Sequence, residues 1–325
     1  MITRRNGNIK QHYVPQFYLK NFSDNDQLYV FNIPDKVTYI SNIKDIGCQR
    51  FFYDTDARIL PAFIEENVSD EQFVDNKIRT YNEDLCAPII KSFESISEVF
   101  MEVNNIDGIH VDDRTFDIII DFILLQFVRT PKFRNHFDKL ARIVYEIMSN
   151  YSLPFKHDVE YWKQFNHNMF IYGVLSICES GSDIKLSDMY LEVNGEMLNY
   201  IKKFKEQLIC SGRSFLISNQ TKYFMTSDNP VSIQWNENLF DDFKFVYLPI
   251  NKSLGCIFYN KEYFPQLKDY DRKVYIISQR NSDVLDNFNL FVTDKAESRL
   301  YSYYDDFEKI TKFINGEIKL KLEFY

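Results

Sequence analysis

The spacing of hydrophobic residues changes twice along this chain, and that constrains its fold more than any single motif does. From Asp26 to Tyr53 apolar and polar residues alternate in QLYVFNIPD and KVTYIS, with a Pro-Asp step between them, which predicts a β-hairpin. From about Leu60 to Phe100 the apolar positions Ile64, Val68, Phe73, Ile78, Leu85, Ile89, Ile90 and Phe93 fall near helical spacing. Two helices are expected there, broken near Val68 to Asp70, with Ser69 as cap and Glu71 in the first turn. A strong helix follows, starting at Asp112 or Asp113 and interrupted after Thr130 because Pro131 lacks an amide hydrogen. Further helices are expected from Asp158 to Cys178 and from Leu186 to Gln207. After Cys210 the pattern returns to period two in SFLISN, KYFMTSDNP, VSIQW, FKFVYLPI, LGCIFYN and KVYIIS. A helix at Ser282 to Ala296 and strands at RLYSYY and IKLKLEFY close the chain.

This order predicts an α+β fold with an N-terminal β-hairpin, a mainly helical middle and a C-terminal, mostly antiparallel sheet packed on the helices, the hairpin joining that sheet. The expected organisation is one domain over residues 1–325, with a helical lobe at 60–209 and a β-rich lobe formed by 10–59 and 210–325. With 45% hydrophobic residues there is ample apolar area for a core, which argues against disorder.

The formal net charge is −9, so a broadly basic, sequence-indifferent nucleic-acid surface is excluded while a local basic groove is not. Five cysteines show no CxxC spacing, which fits reduced thiols and neither a disulfide framework nor a thiolate zinc site. The longest apolar run, Phe116 to Val128, is broken by Asp117, Asp121 and Gln126, and no apolar h-region follows the N-terminus. A cytoplasmic protein without membrane contact is therefore expected. No P-loop, GxGxxG turn, HExxH helix or GxSxG elbow can be read.

The polar positions then define a candidate site. His12 sits among aromatics in HYVPQFYLKNF, where Pro15 fixes its own φ and pushes Val14 toward extended geometry, so the imidazole can be aimed as base, acid or metal ligand. A lone His in such a segment can equally be a hydrogen-bonded structural residue. The other four, His110, His136, His157 and His167, lie in polar surroundings expected at the surface. Gln126 and Arg129, three apart on an apolar helix, share a face; Arg129 can grip a phosphate or carboxylate, or form a buried ion pair with Glu83 or Asp228. Arg134 either widens that basic patch or has a surface role. TSDNP places Asp228 and Asn229 after a strand, either as a presented carboxylate and amide or as an ordinary Asx turn. Glu83, in YNEDLCAP, is an acid on a helix and most simply a solvated one.

Together HYVPQFYLKNF, the Glu83–Pro88 helix, LLQFVRTPKFR, YFMTSDNPV, YLPI, and ISQRN followed by AESRLYSYY resemble the bacterial domain-of-unknown-function family 4238, whose members share an HxVPxFYLxxF opening, an RTPxxR helix and a TSDNPV turn. The resemblance covers nearly the whole chain. It implies that His12, Gln16, Gln126, Arg129, Asp228 and Asn229 form one site, with Glu83 as an added member.

The expectation drawn from these residues is a phosphodiester hydrolase, a metal-dependent nuclease of a bacterial defence or toxin system. His12, Arg129 and Asp228 would be catalytic, Gln16, Gln126, Arg134 and Asn229 would bind substrate, and Glu83 with Asp228 would hold Mg2+ or Mn2+. The alternative is a non-catalytic module that binds a nucleotide or a partner through the same cluster. Nucleic acid or nucleotide is the expected ligand, and a second copy or an operon-encoded protein the expected partner.

Overall fold

The computed structural model describes residues 10–56, 58–60, 71–93, 109–149, 157–178, 188–218, 222–237, 242–277 and 282–321. The N-terminal segment enters as strand β1 (Lys10–His12), turns through Pro15 into a short helix α1 (Gln16–Lys20), and continues into the expected hairpin of β2 (Gln27–Asn32) and β3 (Val37–Asn42). A further strand, β4 (Cys48–Arg50), pairs antiparallel with β1 so that His12 faces Cys48.

Helix α2 (Phe73–Tyr81) runs into a π turn at Asn82–Cys86 and on through helical residues 87–93. The proposed break at 68–70, including Ser69, lies outside the described residues. Helix α3 (Asp113–Val128) begins where Asp112 accepts a hydrogen bond from the Thr115 amide at 2.9 Å, a side-chain cap on one of the amides that the first turn leaves unpaired. It stops before Thr130, whose hydroxyl caps the one-turn helix α4 (Pro131–Arg134) by accepting from the Phe133 amide at 3.3 Å, with Pro131 at the first helical position. Helices α5 (Asp138–Ser149), α6 (Val159–Cys178) and α7 (Asp188–Cys210) complete the helical middle. The last of them runs past the expected Gln207 end.

Two sheets organise the C-terminal part. Strands β5 (Gly212–Ile217), β7 (Ser232–Trp235), β8 (Phe243–Asn251), β9 (Leu254–Tyr259) and β10 (Lys273–Ile276) form a five-stranded sheet in the order β10-β5-β9-β8-β7. It is antiparallel except where β10 runs parallel to β5. The hairpin, β6 (Thr226–Ser227) and β11 (Arg299–Ser302) form a separate four-stranded sheet in the order β3-β2-β11-β6. The fold is thus α+β, and the hairpin does join C-terminal strands.

Alternation along β8 shows why both faces of the larger sheet are buried. Val246 and Leu248 pack with Phe116, Phe204 and the helices, while Phe245 and Tyr247 pack with Phe288 and Phe291 of helix α8 (Ser282–Lys295). The expected strand in IKLKLEFY is not formed over residues 318–321, and 322–325 lie outside the described residues. A helix α9 (Glu308–Ile314), which the sequence reading did not foresee, precedes that tail.

Candidate functional site

Backbone geometry first fixes the N-terminal motif. The Val14 amide donates to the Gly47 carbonyl at 3.0 Å, and Gly47 has φ +59°, where a Cβ would stand 2.9 Å from the Val14 Cβ. Only glycine fits that close, left-handed approach without displacement. Further on, the Tyr18 hydroxyl is fully buried and donates to the Pro249 carbonyl at 2.6 Å, tying α1 to the YLPI strand.

The last turn of α3 meets this anchored segment. Gln126 donates from Nε2 to the Tyr13 carbonyl at 2.9 Å, and Arg129 donates from Nη2 to the His12 carbonyl and from Nε to the Tyr53 hydroxyl at 2.9 Å. The three-residue spacing thus does what the shared helix face implied: both side chains reach adjacent carbonyls of one strand end. Arg129 is 3% exposed and forms no ion pair among the described residues. Its charge is partly balanced by the C-terminal carbonyls of α3, which it caps, and by the Tyr53 ring 5.6 Å away. The alternative of a buried pair with Asp228 is not what forms.

His12 lies at the other side of this junction, with its Nδ1 3.4 Å from the amide nitrogen of exposed Gln16. Burial pushes its pKa down to about 4, the Ile43 backbone opposes that shift, and the nearby Arg129 charge adds to it. The ring is therefore neutral at pH 7. Among the described residues, His12 Nε2, Arg129 Nη1 and Gln126 Oε1 are buried without a partner in hydrogen-bond geometry.

Arg134 corrects an expectation. Instead of widening a surface patch it is 5% exposed, with Nε 3.1 Å from His167 Nδ1, Nη2 donating to the Phe52 carbonyl at 2.7 Å, and its guanidinium 3.5 Å from the Phe52 ring centroid. His167, expected at the surface, is fully buried, its Nε2 2.7 Å from the Val128 carbonyl. Because arginine cannot accept, Nδ1 must be the acceptor and Nε2 must carry the proton, so the ring is neutral. Burial and Arg134 together hold the His167 pKa well below its usual value, and burial lowers Arg134 to about 10. Asn166, His167 and Asn168, a polar trio flanked by Phe165, Met169 and Phe170, were the available sign of an internal polar network.

Asp228 forms a third knot. It is 3% exposed and accepts from the Glu297 and Ser298 amides at 2.9 Å each, the Ser298 hydroxyl at 2.8 Å and the Arg299 amide at 3.1 Å. Burial raises its pKa while these donors pull the other way. Asn229 donates to the Lys295 carbonyl at 2.9 Å, closing the same corner against the end of α8. Asp228 and the Tyr13 phenol are close enough to interact electrostatically, since Asp228 is the second cause, after burial, of that phenol's raised pKa. The opening motif and the Gln126–Arg129 pair meet at the His12 and Tyr13 carbonyls, and the Asp228 charge is felt at the Tyr13 phenol.

Glu83 belongs to the π turn, and its side chain lies outside the described residues. Among the described residues no group of three or more His, Cys, Asp and Glu is placed to hold a metal ion. Asp228 Oδ2 is occupied by three hydrogen-bond donors and Oδ1 by one, so in this arrangement the carboxylate serves backbone amides and the Ser298 hydroxyl, not Mg2+ or Mn2+. No helix among the described residues is long and apolar enough to cross a membrane.

A family model described as "Protein of unknown function (DUF4238)" matches residues 10–306. No curated protein and no solved structure matches the chain.

Proposed function

Because the chain belongs to the DUF4238 family, whose description assigns no activity, we propose a function from its own chemistry: the His12–Arg129 junction recognises the phosphate of a nucleotide or nucleic acid without turning it over. The observation that carries this reading is Arg129, a guanidinium 3% exposed, with no carboxylate paired to it among the described residues and one nitrogen left without a partner. A buried cation that, among the described residues, is balanced by carbonyls, a phenol and an aromatic face gains from an anion, and the planar guanidinium suits phosphate geometry. Neutral His12, whose backbone carbonyl accepts from Arg129, offers a further hydrogen bond without adding charge. Both atoms are shielded from solvent and without a partner among the described residues, so an anion reaches them only if neighbouring side chains shift.

Calorimetric titration with inorganic phosphate, mononucleotides and short oligonucleotides tests this. Phosphate-bearing ligands should bind the wild type and bind Arg129→Lys about tenfold more weakly, circular dichroism showing that the variant is folded. Failure of every phosphate ligand to bind the wild type refutes the reading.

One observation favours phosphodiester hydrolysis as a second reading, that of a nuclease in a bacterial defence or toxin system. His12 is held neutral, and a neutral imidazole beside a cation is the form that can accept a proton from an attacking water. Under that reading His12→Ala abolishes cleavage while weakening binding only by the one hydrogen bond it removes. Cleavage that survives the substitution removes His12 from the chemistry.

A further inference from the structure

On the opposite end of α1 from His12 lies an open groove of about 840 Å³ that the phosphate reading does not use. One wall is Phe17 with Ala87 and Pro88; Lys20 and Lys91 stand on the rim. Asn25 and Asp26 contribute from a turn that its backbone makes rigid. The Asp24 and Gln27 amides and carbonyls pair mutually at 2.7 and 2.9 Å, and the two residues between them have φ of 49° and 61°. Those are the angles of a type I′ turn, for which Asn and Asp are among the few tolerant residues besides glycine.

Ala87 and Pro88 follow immediately on the π turn Asn82–Cys86. Such wide turns weaken a helix and recur where a protein needs side chains placed off the regular helical path. The groove is therefore where two motifs converge that the His12–Arg129 junction leaves unused: the second half of HYVPQFYLKNF and the NEDLCAP segment.

We propose that this groove binds a nucleoside phosphate. Its volume falls within the range of small-molecule sites and is far larger than a lone inorganic anion needs. The two ammonium groups suit a phosphate, and the Phe17 and Pro88 wall suits the face of a planar base. Asp26 decides between anions. Its carboxylate, 3.9 Å from the Lys20 ammonium, disfavours a ligand that is only anionic and favours one that also offers hydroxyl or amine donors, as a ribose and base do. The proposal stands on the groove's own lining and holds whether or not Arg129 binds phosphate.

The experiment is equilibrium titration of the full chain with AMP, ATP, adenosine, inorganic phosphate and a ten-residue single-stranded oligonucleotide, repeated with the Lys20→Ala/Lys91→Ala double variant and with Asp26→Asn. Both lysines are exposed and neither takes part in the junction, so the double variant should keep the wild-type melting temperature. The expected result is a nucleotide affinity about tenfold or more above that of adenosine, lost by a similar factor in the double variant, while binding of inorganic phosphate at Arg129 is left unchanged by that variant. Asp26→Asn should weaken nucleotides and strengthen inorganic phosphate. The proposal is overturned by nucleotide binding that the double variant leaves unchanged, or by inorganic phosphate binding that the double variant weakens as much as it weakens AMP binding.

Discussion

Asp228 and Arg129 are both charged and both 3% exposed, yet the protein satisfies them in different ways. Around Asp228 the chain wraps a loop so that three backbone amides and a hydroxyl point at the two carboxylate oxygens. Around Arg129 the described residues supply a carbonyl, a phenol and a helix C-terminus, and none of them bonds Nη1. A charge closed off on all sides holds architecture, because any further ligand must first break bonds already made. A charge closed on two sides out of three is where a ligand still has something to offer. The motif TSDNP therefore reads as a corner brace and the pair His12 and Arg129 as the place for recognition.

The largest effect should come from removing the brace. Asp228→Ala leaves three amides and a hydroxyl without their acceptor in a buried corner, and the expected loss is about 4 kcal/mol of unfolding free energy in a urea titration. A loss under about 1 kcal/mol would mean that water replaces the carboxylate freely, and the contrast with Arg129 would collapse.

Next in size is a pH effect on the recognition side. The folded His12 pKa, about 4, lies below the usual 6.5, so His12's contribution to stability is complete above pH 6.5 and declines as pH falls toward 4, because the unfolded chain takes up the proton first. The full span corresponds to about 3 kcal/mol at most. Fully buried His167, whose pKa is also depressed, adds a decline of the same sign. Urea midpoints between pH 7 and pH 4 should fall less steeply in His12→Gln than in the wild type. Identical slopes would show that His12 is solvated and not part of a closed junction.

How far these two regions were legible in sequence follows from the range of the interactions that make them. A cap at Asp112 or Asp113, the break that Pro131 imposes after Thr130 and the common face of Gln126 and Arg129 are local matters of spacing and backbone geometry, and the structure has each, with Asp112 as the cap. Arg134 was misplaced because its partners, His167 and the Phe52 carbonyl, come from α6 and from the segment after β4, and no local pattern announces either. The tail IKLKLEFY alternates like a strand, but alternation says only that one side is buried. Ile318 and Leu320 pack against the cluster around α8 without pairing. That the four donors to Asp228 come from 297–299 could not be read from Ser-Asp-Asn-Pro, which serves equally well as a turn closed on itself.

Arg129→Lys sharpens the comparison from the other side. Lysine keeps the charge but cannot hold the Tyr53 hydroxyl and the His12 carbonyl with one rigid fork, and about 2 kcal/mol should be lost in the same titration. Inorganic phosphate should restore stability in the wild type more than in this variant. Equal restoration would place the anion elsewhere.

Ser298→Ala is the smallest of these changes and the finest test of what closure means at Asp228. It removes one donor of four and leaves the Ser298 amide, with those of Glu297 and Arg299, still bound to the carboxylate. If the corner is a redundant brace, the remaining three donors keep the charge satisfied and the loss stays near 1 kcal/mol, the net worth of a single hydrogen bond. A loss approaching that of Asp228→Ala would instead mean that the four bonds act as one cooperative unit. The contrast with the incompletely paired Arg129 would then lie in cooperativity rather than in the number of partners.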